Sequence, residues 1–245
     1  HHTEVKKVES VYKIGNIGDL IKDNSYVGRG VVIGESENGK NAVFAYFIMG
    51  RSENSRNRIF KDRGEEVTIY PFDESKVEDP SLIIYSPVRR AGNSVIVTNG
   101  DQTDTVYDFL MKGKTFEEAL ETRCFEPDAP NFTPRISGVL DFKDKGFTYK
   151  MSILKSADEK GSACNRYTFS YSPLAGVGHF IHTYNCDGNP IPTFTGERVK
   201  IPDDIEEFFS DLWNNLNEQN KISLYVRYTD LASGKTQAKM INKNK

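Results

Sequence analysis

Residues 123–135 read R-C-F-E-P-D-A-P-N-F-T-P-R, with Pro127, Pro130 and Pro134 spaced through them. Each proline sets its own φ and pushes the residue before it toward extended backbone, so no helix can run through this stretch. The same segment carries Arg123, Glu126, Asp128, Asn131, Thr133 and Arg135. Polar groups on a stiffened loop suit a binding or catalytic site, because ordering entropy is spent before a ligand arrives. A plain surface loop with prolines as punctuation fits the same residues, and at this point both readings stand.

What flanks the loop sets the fold class. Branched and aromatic runs at 27–34 and 41–49, with Asn38-Gly39 between them, predict a hairpin. Short strands are expected at 67–70, 82–85 and 94–98. A helix follows over 103–112, with Asp101 or Thr103 as cap and Gly113 as stop. A second helix spans about 116–124, where Thr115 and Glu118 fit a capping box. Beyond the proline loop, strands are predicted at 136–142, 147–154, 166–171 and 177–184. The apolar stripe Ile205, Phe208, Phe209, Leu212, Trp213 and Leu216 predicts a helix over 203–220 with a core-facing side. Strands at 222–228 and 237–241 close the chain. Strands, helices, strands and a helix in that order lack strict βαβ alternation, so the class is α+β with antiparallel sheet. With no internal repeat or linker, one domain is the simplest organisation.

The 245 residues are 37% hydrophobic with a net charge of −3, an ordinary globular composition. No apolar run approaches the ~18 residues a membrane helix needs, and 1–10 lack a signal-peptide core. Cys124, Cys164 and Cys186 are widely spaced with no C-x-x-C, which argues against a disulfide framework or zinc site. The expectation is a reducing, cytoplasmic setting with no membrane partner. Without a leader, the glycosylation-like Asn131-Phe132-Thr133 reads as accidental. The net charge also argues against general nucleic-acid binding.

Several local patterns carry two meanings. Arg51, Arg56, Arg58 and Arg63 share a short stretch with Lys61, Ser52, Ser55 and Asn57. Such a cluster can fork onto a phosphate or be a solvated charged loop. Asn99-Gly100-Asp101-Gln102-Thr103-Asp104 leaves a strand and enters a helix, where free N–H groups suit an anion or merely receive caps. Gly28, Gly30 and Gly34 sit in a strand pattern with no helix after them, so they imply close backbone approach and not a dinucleotide loop. His179 and His182 fall on opposite faces of a strand, which disfavours a metal pair. Cys124, at a helix C-terminal end, is expected to be buried and inert.

Together, several segments resemble the archaeal-type inosine monophosphate cyclohydrolase family. They are Tyr26-Val27-Gly28-Arg29, Gly50-Arg51-Ser52 with Asn57-Arg58, Tyr85, Asn99-Gly100 with Thr103-Asp104, and Glu126-x-Asp128-x-x-Asn131-x-Thr133-Pro134-Arg135-Ile136. The resemblance covers roughly residues 26–140. It implies a four-layer α-β-β-α sandwich of two mostly antiparallel sheets flanked by helices, related to N-terminal-nucleophile hydrolases. Residues 1–25 are then an extension and 26–245 the domain. With its first strand starting near Tyr26, the chain offers no N-terminal nucleophile, and self-processing amidase chemistry is disfavoured.

The implied reaction closes the purine ring. The carboxamide nitrogen of a formamido-imidazole-carboxamide ribonucleotide attacks the formyl carbon, and water leaves. The implied partner is a purine ribonucleotide monophosphate, and no metal or redox cofactor is implied. The expected catalytic set is Glu126 for proton transfer, Tyr85 as donor to the developing oxyanion, Arg51 near the phosphate or carboxamide, and Asn131 to orient the amide or formyl group. The expected substrate-binding set is Arg58, Asn57, Asn99, Asp104 and Arg135. Two other readings stay open: another amide- or formyl-processing enzyme on this scaffold, and a nucleotide-binding protein without catalysis. Self-association into a homo-oligomer is also left open.

Overall fold

The computed structural model describes residues 12–77, 84–194, 202–216, 218, 221, 223–229 and 235–243. The chain divides into two compact units, 1–194 and 195–245.

The first unit opens with a short helix, α1 (Ile17–Lys22), whose first turn is capped by Asn16 accepting from Asp19 N. The expected hairpin follows as β1 (Arg29–Glu35) and β2 (Ala42–Ile48). Gly39 takes φ +68° in the turn, a conformation that suits glycine. A single turn of helix, α2 (Glu53–Arg56), leads into β3 (Ile59–Asp62), then β4 (Val67–Tyr70), β5 (Val88–Ala91) and β6 (Ser94–Thr98). Of the strand expected at 82–85, residues 82 and 83 lie outside the described residues. Ile84 and Tyr85 are not in a strand, although the Tyr85 carbonyl accepts from Ile69 N at 3.0 Å.

The two helices before the proline loop are α3 (Gln102–Met111) and α4 (Phe116–Glu121). Gly113, at φ +74°, ends α3 where the sequence put its stop. Thr115 accepts from Glu118 N at 3.1 Å and caps α4 as predicted. Asp101 precedes α3 without capping it through its side chain. Long strands follow: β7 (Arg135–Lys143), β8 (Gly146–Ser156), β9 (Cys164–Tyr171) and β10 (Gly178–His182).

These strands form two antiparallel sheets, one in the order β10-β1-β2 and one in the order β3-β4-β5-β6-β7-β8-β9. Strand alternation divides the apolar residues of the large sheet between two cores. Val97, Ile136, Leu140 and Ile153 join Val31, Ile33 and Ile181 of the small sheet between the sheets. Their neighbours Ile96, Val139 and Leu154 face the other way, onto Val106 of α3 and Phe116, Ala119 and Leu120 of α4. Each buried valine, leucine, isoleucine or phenylalanine among them contributes about 1.5–3 kcal/mol. Small sheet, large sheet and the α3–α4 pair thus stack as successive layers of the expected α+β sandwich. The sheets touch closely at Gly138 on β7: a Cβ there would stand 2.6 Å from Ile33 Cδ1.

The second unit carries α5 (Ile205–Asn215), β11 (Ser223–Thr229) and β12 (Thr236–Asn242). Asp204 caps α5 by accepting from Glu206 N, and Glu206 and Glu207 sit in its first turn, as the helix dipole favours. The helix is shorter than 203–220. Phe209 of the predicted stripe is buried and Trp213 half-buried, with Lys221 Nζ 4.6 Å from the Trp213 ring centre. β11 and β12 pair antiparallel.

Candidate active site

The inter-sheet core turns polar at one end. Arg29, at the start of β1, is two and four residues before Val31 and Ile33 and shares their face of the strand. Around its guanidinium gather Glu126, Tyr85, Tyr46 and Tyr184. Glu126 is 3% exposed. Its backbone N donates to Thr133 O at 2.9 Å, which closes the proline loop at its base.

Burial pushes the Glu126 carboxyl up to about 7. Arg29 opposes that rise, Asp128 adds to it, and Arg135 and Arg58 oppose it more weakly. Burial works against the Arg29 charge, but Glu126 and the surrounding tyrosines hold its pKa above the ordinary arginine value. For Arg58, burial and then the like charge of Arg29 lower the pKa; an arginine so placed still carries its charge. Two cations and one carboxyl near its midpoint therefore share a water-poor space. Arg29 Nε and Arg58 Nη2 are both buried without a hydrogen-bond partner. Unmet guanidinium donors of this kind suit an anionic or carbonyl oxygen.

Beside them the Tyr46 and Tyr85 hydroxyls lie 2.5 Å apart. Burial raises the pKa of both, so both are phenols at neutral pH and can donate. Tyr46 comes from β2, and Tyr85 from the segment between β4 and β5.

Behind Glu126, the Asp128 carboxylate accepts from Thr133 N at 2.7 Å and also from the Thr133 hydroxyl. Thr133 Oγ1 is 2.7 Å from the Tyr184 hydroxyl, whose pKa burial pushes up to about 12. Tyr184 stacks on Tyr26 at 5.3 Å, and the Arg51 guanidinium lies 5.1 Å from the Tyr26 ring centre. Gly28 makes this stack possible: at φ +85°, a Cβ there would collide with Thr183 Oγ1 at 2.1 Å and Tyr184 Cδ2 at 2.5 Å.

The sequence-derived candidates separate into groups. Glu126, Tyr85 and Arg58 converge with Arg29. Arg51 is exposed, pairs with Asp187 at 2.7 Å and donates to Gly188 O at 3.1 Å; it joins the others through the Tyr26–Tyr184 stack. Asn131 Oδ1 accepts from Ile191 N at 3.2 Å. Arg135 is buried, with its guanidinium on Asp101, Gln102 Oε1 and the Cys124 carbonyl. Asn57 is clamped to Asp73, donating to its carbonyl at 2.8 Å and accepting from its N–H at 2.7 Å. Asn99 donates to Pro134 O and accepts from Ile136 N and Gln102 Nε2, joining the chain before α3 to the start of β7. Asp104 is an exposed ion-pair partner of Arg89 at 2.8 Å.

Arg29 and Tyr46 were not among the expected site residues. Arg29 had two available signals: it ends the Tyr26–Arg29 segment that carries the resemblance, and it stands two positions before a Val-Val-Ile run on an inward strand face. Nothing local marks Tyr46.

His179 and His182 keep separate company, as the odd spacing predicts: His179 Nδ1 bonds the Tyr149 hydroxyl at 2.8 Å, and His182 Nδ1 is 2.9 Å from Tyr184 O. Among the described residues no group of three or more His, Cys, Asp or Glu could hold a metal ion. Cys124 is exposed, against the expectation of burial, because α4 ends at Glu121 and leaves it on the loop. A cavity of about 1050 Å³ lies elsewhere, lined by Val32, Phe180 and His182 of the small sheet and by Ile17 and Leu20 of α1. Glu126, Arg29, Arg58 and Tyr85 do not line it.

Residues 26–235 match the family described as IMP cyclohydrolase-like protein. An IMP cyclohydrolase of Methanococcus aeolicus is 29% identical over 166 residues, covering 66% of this chain and 75% of that protein. One from Methanococcus maripaludis is 33% identical over 126 residues, 50% of this chain and 61% of that protein. One from Methanopyrus kandleri is 34% identical over 125 residues, 47% of this chain and 59% of that protein. For the last two, the matched segment spans about six tenths of the relative's length.

Proposed function

The chain belongs to the IMP cyclohydrolase-like family, and from that premise we propose that it closes the purine ring of inosine monophosphate from the formamido-imidazole-carboxamide ribonucleotide. The observation that carries this reading is Glu126: a buried carboxyl with a pKa of about 7, set between two arginines with unmet donors and beside a pair of phenols.

Ring closure forms a C–N bond between the carboxamide nitrogen and the formyl carbon, and breaks the formyl C–O bond as water departs. One proton must leave the attacking nitrogen and a second the formamido nitrogen, and two must reach the oxygen that departs as water. A carboxyl poised near neutral pH does both tasks, taking the first proton as base and returning one as acid. Tyr85, paired with Tyr46, donates to the formyl oxygen as charge builds on it. Arg29 offers Nε, and Arg58 offers Nη2, to oxygens of the substrate. In this reading Arg51, at the exposed end of the Tyr26–Tyr184 stack, exchanges its Asp187 partner for the 5′-phosphate, and Asn131, on the proline loop, orients the reacting amide. Because both reacting groups belong to one molecule, holding the productive rotamer supplies much of the acceleration.

Arg135, Asn57 and Asn99 position the backbone around the site and act through it, and Asp104 stands apart on its exposed pair with Arg89. Loss of water transfers no electrons, so the step needs no redox group, and the arginines handle the charge without a metal in this reading. Residues 26–245 are taken as the cyclohydrolase-like domain, with 1–25 as an extension. Three cysteines outside any disulfide fit a cytoplasmic setting for nucleotide synthesis. Among the described residues no helix is long and apolar enough to cross a membrane.

The test is direct. Purified protein incubated with the formamido ribonucleotide develops the purine absorbance of inosine monophosphate. Tight monophosphate binding without that absorbance overturns the catalytic reading.

A further inference from the structure

We propose that Cys124 and Cys164 form an oxidisable pair that closes to a disulfide, tying the Glu126 loop to β9 and slowing the site. Several contacts bring the two cysteine-bearing segments together. Arg166 on β9 donates to Leu120 O at 3.4 Å and to Arg123 O at 2.7 Å, so the chain leaving α4 lies along the start of β9. Cys164 is the first residue of that strand and packs against the core cluster containing Leu120. The Cys164 thiol donates to Asn165 O at 3.6 Å, and the backbone of Phe125, which directly follows Cys124, is near enough to favour the Cys164 thiolate. The two thiols are near enough for a charge on Cys124 to oppose ionisation of Cys164. Neither is in a disulfide.

The order of events follows from exposure. Cys124 is exposed and meets the oxidant first. With a low-molecular-weight disulfide such as glutathione disulfide, the Cys124 thiolate attacks one sulfur and expels a glutathione thiolate. The Cys164 thiolate then attacks the Cys124 sulfur of the mixed disulfide and expels the second. Two protein thiols are oxidised, one disulfide is reduced to two glutathione thiols, and the protons balance between them. Burial pushes the Cys164 thiol up, which makes the closing step the slow one.

The bond reaches the site through the backbone. Cys124 O holds Arg135 Nε at 2.8 Å, and Glu126 is two residues on, with its N–H on Thr133 O at 2.9 Å. A disulfide needs its Cβ atoms about 3.5–4.5 Å apart. The bond holds Cys124 to β9 in that geometry and constrains the peptide units that carry Arg135 and Glu126. The effect on turnover rests on the cyclohydrolase reading, whereas formation of the bond does not.

The full chain is treated with excess glutathione disulfide, digested without reduction and mapped by mass spectrometry. The expected result is a Cys124–Cys164 linked peptide that also forms in Cys186→Ser. Turnover falls by about 10²-fold, as for a misplaced catalytic group, and returns with dithiothreitol. Cys124→Ser keeps its turnover under the same oxidant. The proposal is overturned if both thiols stay free or only singly glutathionylated, or if the link forms and turnover does not change. If the reduced protein closes no ring at all, the functional reading fails separately. Hydrogen exchange across 123–133 then decides the switch: slower exchange in the linked form supports it, and unchanged exchange sinks it.

Discussion

Ile33 and Arg29 stand on the same strand and look into the same gap between the sheets, but the gap is a different solvent at each end. Ile33 is 0% exposed, among Val31, Val97, Ile136 and Leu140. Arg29 is 9% exposed, among Glu126, Tyr46 and Tyr85. At the apolar end, burial stabilises the fold. At the polar end it opposes folding, because charges lose water and two guanidinium donors go unmet. The lesson is that one contiguous core supplies the stability at one end and tolerates a costly, reactive arrangement at the other.

The sharpest way to break this contrast is at Glu126. Glu126→Gln keeps the shape and removes the transferable proton, so turnover falls by about 10²–10⁴-fold while monophosphate affinity changes little. Steady-state kinetics beside a binding titration checks this, and full retained turnover removes Glu126 from the reaction. Next is the apolar end. Ile33→Ala lowers unfolding stability by about 2–5 kcal/mol and leaves kcat near its starting value, read from urea melts and assays on the folded fraction.

The pH dependence follows from the raised carboxyl. Glu126 titrates at about 7 in the folded chain against 4.5 for an ordinary glutamate. The folded state therefore binds more protons between those values, and its stability falls as pH rises through that window and levels above it. The loss is about 3 kcal/mol from pH 4.5 to 7. Glu126→Gln flattens this component of the slope, and urea midpoints at pH 5 and pH 8 measure it. The smallest effect belongs to Asp104→Ala. Its exposed pair with Arg89 is worth at most about 1 kcal/mol, and turnover stays unchanged; a large loss of substrate affinity would move Asp104 into the site.

Much of this architecture was legible from sequence because strand alternation and helix caps are local signals. Thr115 with Glu118 marked α4, and Asn38-Gly39 marked the hairpin turn. β3 was missed because all four of its residues are exposed, so Ile59, Phe60, Lys61 and Asp62 show no inside–outside alternation. β5 reads V-R-R-A and offers two charges where a strand pattern wants apolar residues. In the site, Glu126 was legible because prolines frame it. The Tyr46–Tyr85 pair was not, since its partners are 39 residues apart and meet only after the sheets stack. The amides show the deeper limit. Asn57 and Asn99 clamp their own backbone, and composition cannot tell such an amide from one reserved for a ligand.

Gly138 gives the fold a gauge. With Ile33 Cδ1 and Val31 Cγ1 at 2.6 Å and 3.5 Å from where its Cβ would be, one added methyl group would act as a wedge between the sheets. Prising them apart there would draw Tyr46 of β2 away from the Tyr85 hydroxyl that now stands 2.5 Å from it. The spacing of the two sheets, and with it the company Arg29 keeps at the polar end, is thus calibrated by an atom the chain leaves out.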